Sequence, residues 1–174
     1  MADYFTTTVV ETEIPDSDIT DLERLLLSTI FEAERYNGIT YFFSEVGPSD
    51  MIYLSRSELT AALAASEAIA SAANAFGKDL LAKTKEEAGD EIEIDLSDQL
   101  DGWAFLFQDI VRRSATLPYV IVTAAYTCSK MRSDGFGGSA MLITADEVMA
   151  KSTVDLIEEF ETKAKASPSK KGGQ

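Results

Sequence analysis

The chain contains no histidine and a single cysteine in 174 residues. Without histidine it lacks the commonest general base near neutral pH and the commonest nitrogen ligand for metals. The Ser-His-Asp and Cys-His arrangements are excluded as well, because in both a histidine takes the nucleophile's proton. Cys128 has no partner for an internal disulfide, which fits a reducing, cytoplasmic setting. Basic charge is scarce: 15 Lys and Arg stand against 30 Asp and Glu, for a net charge of −15. A field of that sign repels nucleic acid and anionic lipid and attracts basic surfaces. Neither direct nucleic-acid binding nor a membrane partner is therefore expected. Long hydrophobic runs are missing too. The longest, near residues 117–125, is about half the roughly twenty residues of a membrane span. The start, Met-Ala-Asp-Tyr, has neither the basic nor the apolar region of a signal peptide. No fixed-period repeat is present.

What the chain does have is an ordinary apolar fraction, 45%, enough to bury a core in one domain. Its acidity is segregated. Residues 1–50 carry −9, residues 51–101 carry −7, and residues 102–174 carry +1.

Thr- and Val-rich residues 4–14 predict a strand, stopped by Pro15. Asp16, Ser17, Asp18 and Thr20 are candidate N-caps for a short helix to about Ser28, with Leu22, Leu25 and Leu26 at helical spacing. Residues 31–36 and 39–43 read as a hairpin around Asn37-Gly38, since Asn-Gly tolerates the positive φ of a type I′ turn. A short strand over 51–54 follows. Ser55 and Glu58 form a capping-box pattern. An Ala-rich helix over 59–75 is expected next, with Gly77 as its break and a second piece to about Ala88. Glu91-Ile-Glu-Ile-Asp-Leu96 alternates at period two, as a strand with one buried face does. Ser97 or Asp98 is placed to cap a helix through Trp103, Phe107 and Val111, ending in Arg112 and Arg113, where cations suit the dipole. Residues 118–127 and 139–144 predict strands joined by a long loop over 128–138. Residues 145–151 predict a helical turn. A terminal helix over 153–165 carries Val154, Ile157 and Phe160 on one stripe, and residues 166–174 read as a disordered tail. Strands joined by hairpins and flanked by helices predict a single α+β domain, mainly antiparallel, with residues 55–101 as a helical and acidic insertion.

Three clusters are candidates for function. The first is the acids: Asp16, Asp18, Asp21 and Glu23, then Glu86, Glu87, Asp90, Glu91, Glu93, Asp95, Asp98 and Asp101. Taken singly they form solvated faces. Taken together they are candidate partner-binding residues, presenting phosphate-like rows to a basic groove. Residues 90–95 lack the Asp-x-Asp-x-Asp-Gly spacing of a calcium loop, so no metal is expected. The second is the 128–138 loop, where Lys130 and Arg132 lie near Gly135, Gly137 and Gly138. Glycines let backbone approach a ligand and cations hold an anion. The same residues serve a long hairpin that must turn and stay wet. The spacing matches neither the P-loop nor the dinucleotide fingerprint. The third is Cys128 as a nucleophile, which no histidine can activate. A small buried residue at a strand end is the plainer reading. The aromatics Tyr41, Phe42, Phe43, Trp103, Phe105 and Phe107 are expected to pack a core, without a cofactor.

The stretch Leu117-Pro-Tyr-Val-Ile-Val-Thr-Ala-Ala-Tyr-Thr-Cys-Ser-Lys-Met-Arg-Ser-Asp-Gly-Phe-Gly-Gly-Ser-Ala-Met-Leu-Ile-Thr144 resembles a group of uncharacterised proteins of bacterial plasmids, genomic islands and phages. That group supplies no activity to carry over to any residue. Tyr36-Asn-Gly-Ile-Thr-Tyr-Phe-Phe43 is similar to the Tyr-x-Gly-Gly-aromatic strand of the antirestriction family of mobile elements, with Ile39 where that family has its second glycine. The resemblances imply a mobile-element origin and a role against host defence. The expected function is thus a non-catalytic acidic inhibitor or accessory protein of antirestriction or anti-CRISPR type, a monomer or small homo-oligomer. It would bind a basic surface of a host nucleic-acid-handling protein. The competing expectations are an anion- or ligand-binding module or enzyme using the 128–138 loop, and a phage structural or assembly subunit.

Overall fold

A computed structural model of the chain describes residues 2–85, 89–97 and 102–166. Its frame is an antiparallel seven-stranded sheet, as the hairpin pattern predicts. Strand β1 (Tyr4–Val10) forms from the Thr/Val run, and Ile14–Pro15 forms a two-residue β2. The single predicted strand is interrupted. Val9 opposes Phe43, so a regular ladder would set Ile14 opposite residue 38, yet Ile14 opposes Thr40. Residues 11 and 12 stay with the neighbouring strand instead: the Glu11 N–H donates to the Ile121 carbonyl, and Thr12 Oγ1 accepts from the Ile121 N–H. Strands β3 (Glu32–Tyr36) and β4 (Ile39–Ser44) form the predicted hairpin, with φ of 51° at Asn37 and 81° at Gly38. β7 (Val120–Cys128), β8 (Gly137–Ile143) and β9 (Val148–Ser152) complete the sheet. Across it the strands run β3, β4, then β1 with β2 end to end, β7, β8 and β9. β9 replaces the predicted helical turn over 145–151. Thr144 closes a tight turn through Glu147, and Val148 to Ser152 then pair back on β8.

One face of the sheet is buried. Thr40 and Phe42 of β4, Thr8 and Val10 of β1, Val120 and Val122 of β7 and Ile143 of β8 all point into the core. Helices α1 (Asp21–Ile30) and α4 (Ala104–Arg113) pack there with their apolar stripes. Phe31, Phe42, Trp103 and Phe107 cluster with ring centroids 5.0–6.3 Å apart, edge-on except for the tilted pair Phe31 and Phe42. The alternate residues of the same strands, Phe43, Val9, Ile121, Leu142 and Met149 among them, lie on the other face, and none of them is buried.

The insertion packs on α1. It comprises β5 (Met51–Ser55), α2 (Arg56–Ala65), α3 (Ala72–Lys83) and β6 (Glu91–Asp95), with β5 and β6 as a separate two-stranded sheet. The Ala-rich helix does not break at Gly77. It breaks at Ser66, whose hydroxyl donates to the Ala62 carbonyl and accepts the Leu22 N–H at the start of α1. Ser71 caps α3, and Asn74 holds the carbonyls of Ser66 and Ile69. Gly77 sits inside α3 because a Cβ there would meet Leu22 Cδ2 at 3.1 Å. Among the described residues Trp103 is the N-cap of α4, and the Ser97 hydroxyl and N–H both donate to Asp95. Asp98, the other predicted cap, and tail residues 167–174 lie outside the described residues.

Thr20 caps α1 in a capping box with Glu23, which is wholly buried. The Glu23 carboxylate pairs with Arg113 of α4. Arg113 also donates to Asp109, which accepts the Ala72 N–H of α3. Removing one partner of such a pair strands a charge in the core. Arg113→Ala is expected to cost about 3–5 kcal/mol in urea unfolding. Replacing both Glu23 and Arg113 by Leu should cost less than Arg113→Ala alone.

Candidate functional site

The described acids of the two candidate clusters divide sharply. In the first cluster only Asp21 stands free on the surface. Asp16 is enclosed by Arg24, Arg35 and Thr40, with Arg35 Nη2 at 2.7 Å and Arg24 Nη1 at 2.9 Å. The Arg35 guanidinium, then the Thr40 hydroxyl, then Arg24, hold the Asp16 carboxyl far below the usual carboxylate range, against the opposing effect of burial. Asp18 is pulled upward by burial, but the hydroxyls of Ser114, Thr116 and Ser17 outweigh it and lower its pKa. Glu23 is wholly buried between Arg113 and the Thr20 N–H and presents nothing to the surface. Three of these four acids are therefore internal clasps that tie α1 to the sheet and to the segment after α4.

The second cluster is different. β6 pairs with β5 in the register Met51 to Asp95, Tyr53 to Glu93 and Ser55 to Glu91. Ile52, Leu54, Ile92 and Ile94 enter the core, so Glu91, Glu93 and Asp95 all stand on the outer side. The predicted alternation is thus realised. Neighbouring carboxylates on this side are about 6.8 Å apart along the strand. Asp90 precedes the strand and is exposed; its carbonyl accepts the Arg56 N–H and its carboxylate faces the Ser57 hydroxyl. Asp95 is held ionised by the Ser97 hydroxyl and N–H. The Glu93 carboxylate pushes the Tyr53 phenol up, keeping it protonated in the middle of the ribbon. Neither strand carries a basic side chain. The adjoining Arg56 turns its guanidinium to the carbonyl and hydroxyl of Thr84. One strand of B-DNA presents a charge per about 3.4 Å of axis. The ribbon therefore offers half that linear density, over a short flat segment. Glu86, Glu87, Asp98 and Asp101 lie outside the described residues.

The 128–138 loop is shorter than expected, because Cys128 ends β7 and Gly137 begins β8. Its glycines serve close packing within the chain. A Cβ at Gly135 would lie 2.7 Å from the Cys128 Cβ, one at Gly137 2.7 Å from Thr153 Oγ1, and one at Gly138 2.7 Å from the Ala124 carbonyl oxygen. The Gly138 N–H donates to Thr153, and the Gly135 N–H to the Arg132 carbonyl. Arg132 pairs with Asp134, and Lys130 is exposed at the tip. The five candidate anion ligands therefore do not converge. Cys128 is buried at the strand end. Among the described residues no three Asp, Glu or Cys side chains gather as a metal-binding group, and no helix is long and apolar enough to cross a membrane.

Sequence reasoning missed that Asp16, Asp18 and Glu23 are clasps. A partial signal existed for Glu23, which stands three residues after Thr20 in the capping-box pattern. Comparison with known proteins gives no match among family models, curated proteins or solved structures.

Two outcomes follow. The unfolded Asp16 carboxyl titrates near 4, and its folded pKa is lower. Its contribution is therefore complete above that pH and is lost as pH falls through and below it. Asp16→Asn should lower the urea midpoint at pH 7, and its gap to the unmodified protein should narrow by pH 3. Gly138→Ala should cost about 1–3 kcal/mol through its clash with backbone, whereas Lys130→Ala should leave the melting temperature unchanged.

Proposed function

We propose that this protein is a non-catalytic acidic binding protein that occupies a basic, nucleic-acid-binding surface of a host defence protein, such as a restriction enzyme or CRISPR effector. The carboxylate ribbon of β5 and β6 carries this reading. Glu91, Glu93 and Asp95 share their ribbon with no basic side chain and are set in line on a surface fixed from behind by Ile92 and Ile94. Fixed charges lose little side-chain entropy on meeting a basic groove, and their field speeds encounter. Tyr53 at the centre adds a rigid aromatic contact, of the kind enriched at binding hot spots. The resemblance to mobile-element proteins supports the choice of a host defence partner.

The test begins with capture from host lysate at low salt and identification of what is retained. The purified partner is then bound directly, with duplex DNA as competitor. Displacement by DNA and loss at high salt are expected, with Glu91→Gln/Glu93→Gln/Asp95→Asn weakening binding at least tenfold and leaving the fold intact. Binding that survives this triple variant, or that DNA does not compete, rejects the reading.

A further inference from the structure

The open face of the seven-stranded sheet carries a groove of about 240 Å³ at its β3 end. Thr7 and Val9 of β1, Tyr41 and Phe43 of β4, Glu34 of β3 and Glu45 just past β4 line it. The two rings are half-buried and stack on one another, with centroids 5.5 Å apart and planes inclined by 25°. Each ring has a carboxylate as its cross-strand neighbour, Glu34 beside Tyr41 and Glu32 beside Phe43. Residues placed directly opposite in this way have Cβ atoms about 5 Å apart. Glu32 Oε1 accepts the Glu45 N–H, and the Thr7 hydroxyl donates to the Glu45 carbonyl, which fixes the far end of the groove. Glu34 and Glu45 are exposed, and among the described residues neither has an ion-pair partner.

The strands that build the groove supply no cation to it. β1, β3 and β4 together hold one basic residue, Arg35, and its guanidinium is committed to Asp16. The cross-strand row through Glu32, Phe43 and Val9 meets a basic side chain only at Lys151 of β9, on the opposite edge of the sheet. Lys151 pairs with Glu159 of the terminal helix α5 (Thr153–Ala166).

We propose that this groove is a docking site for an arginine side chain of a partner protein. Aromatic rings attract a cation that lies within about 6 Å of the ring centre. A guanidinium is planar and more weakly hydrated than an ammonium, so it stacks on a ring where lysine would keep its water. Its fork of N–H donors also matches a carboxylate in two parallel hydrogen bonds, and each ring here has a carboxylate at its side. A divalent metal needs several oxygens converging on one point. Glu34 stands level with Tyr41 and Glu45 four residues along from it, so these carboxylates bracket the rings. Sites for whole small molecules enclose about 300–1,000 Å³ and bury most of the ligand. This groove is smaller and open to solvent, which suits the end of one side chain carried by a larger partner. It lies on a different sheet from the β5–β6 ribbon, and its ligand chemistry does not depend on the ribbon's partner.

The test is a titration of the whole chain with N-acetylarginine amide and, separately, N-acetyllysine amide, followed by NMR of the Tyr41 and Phe43 ring signals. The arginine probe should move both signals saturably with a Kd of about 1–10 mM, the affinity of one charge-assisted contact made by a small ligand. The lysine probe should bind about threefold more weakly or worse. Glu34→Gln/Glu45→Gln changes two exposed side chains to near-isosteres and should weaken the arginine probe about fivefold or more. Phe43→Leu, checked for folding by circular dichroism, should weaken it as well. The ribbon variant Glu91→Gln/Glu93→Gln/Asp95→Asn should bind the probe as the unmodified chain does, so the two readings fail separately. Ring signals that stay still overturn the proposal. So does equal binding of the two probes, or binding that survives Glu34→Gln/Glu45→Gln. Agmatine binding far more tightly than the arginine amide would mark a small-molecule site and overturn it too.

Discussion

The buried pair of Glu23 and Arg113 is the constraint around which the helical layer is arranged. Glu23 has left water completely, and Arg113 and the Thr20 N–H meet its carboxyl group from two sides. Arg113 is in turn oriented by Asp109, and Asp109 holds the first N–H of α3. Helices α1, α3 and α4, which are distant in sequence, are thereby fixed in mutual position by one polar chain. Apolar packing alone tolerates several arrangements of similar volume. A buried charge tolerates one, because any displacement leaves it unpaired.

The acidic surplus is divided between two structural roles. Near α1, carboxylates are turned inward or clasped by Arg24, Arg35 and the hydroxyls of Ser114 and Thr116, where they hold elements together. On β6 they are held away from the body by two buried isoleucines. The difference originates in local geometry. A regular strand sends alternate residues to opposite sides, while a helix N-terminus draws acids toward its own free N–H groups.

Much of the frame was legible in the sequence, and for identifiable reasons. Asn37-Gly38, the Ser55/Glu58 capping box and the alternation over 91–95 are local signals whose meaning does not depend on distant residues. The α+β class with an antiparallel sheet followed from them. The rest depended on contacts far along the chain. Ser66 breaks the Ala-rich helix because Leu22, forty-four positions earlier, presents an N–H to it. Gly77 survives inside a helix because a leucine of α1 presses there. β9 was hidden because Val148–Ser152 is short and only an existing β8 edge makes it a strand. The site was half legible. The ribbon acids were recognisable as a group, but nothing local separated them from Asp16, Asp18 and Glu23, whose partners lie up to about a hundred residues away.

The position of β1 has a consequence for how the molecule is made. Tyr4 lies opposite Cys128 and Val10 opposite Val122, so β1 pairs with a strand synthesised more than a hundred residues after it. At about 5–20 residues per second, β1 waits roughly 6–24 seconds before β7 is synthesised. Until then one edge of a Thr/Val-rich strand is unpaired, the condition that favours pairing with another nascent chain. A message cut short before residue 120 yields a product with its helical layer and hairpin but no central ladder. Such a fragment leaves a strand edge and inward-facing valines without cover, the features that chaperones and proteases act on, so the sheet is complete only once β7 has been made.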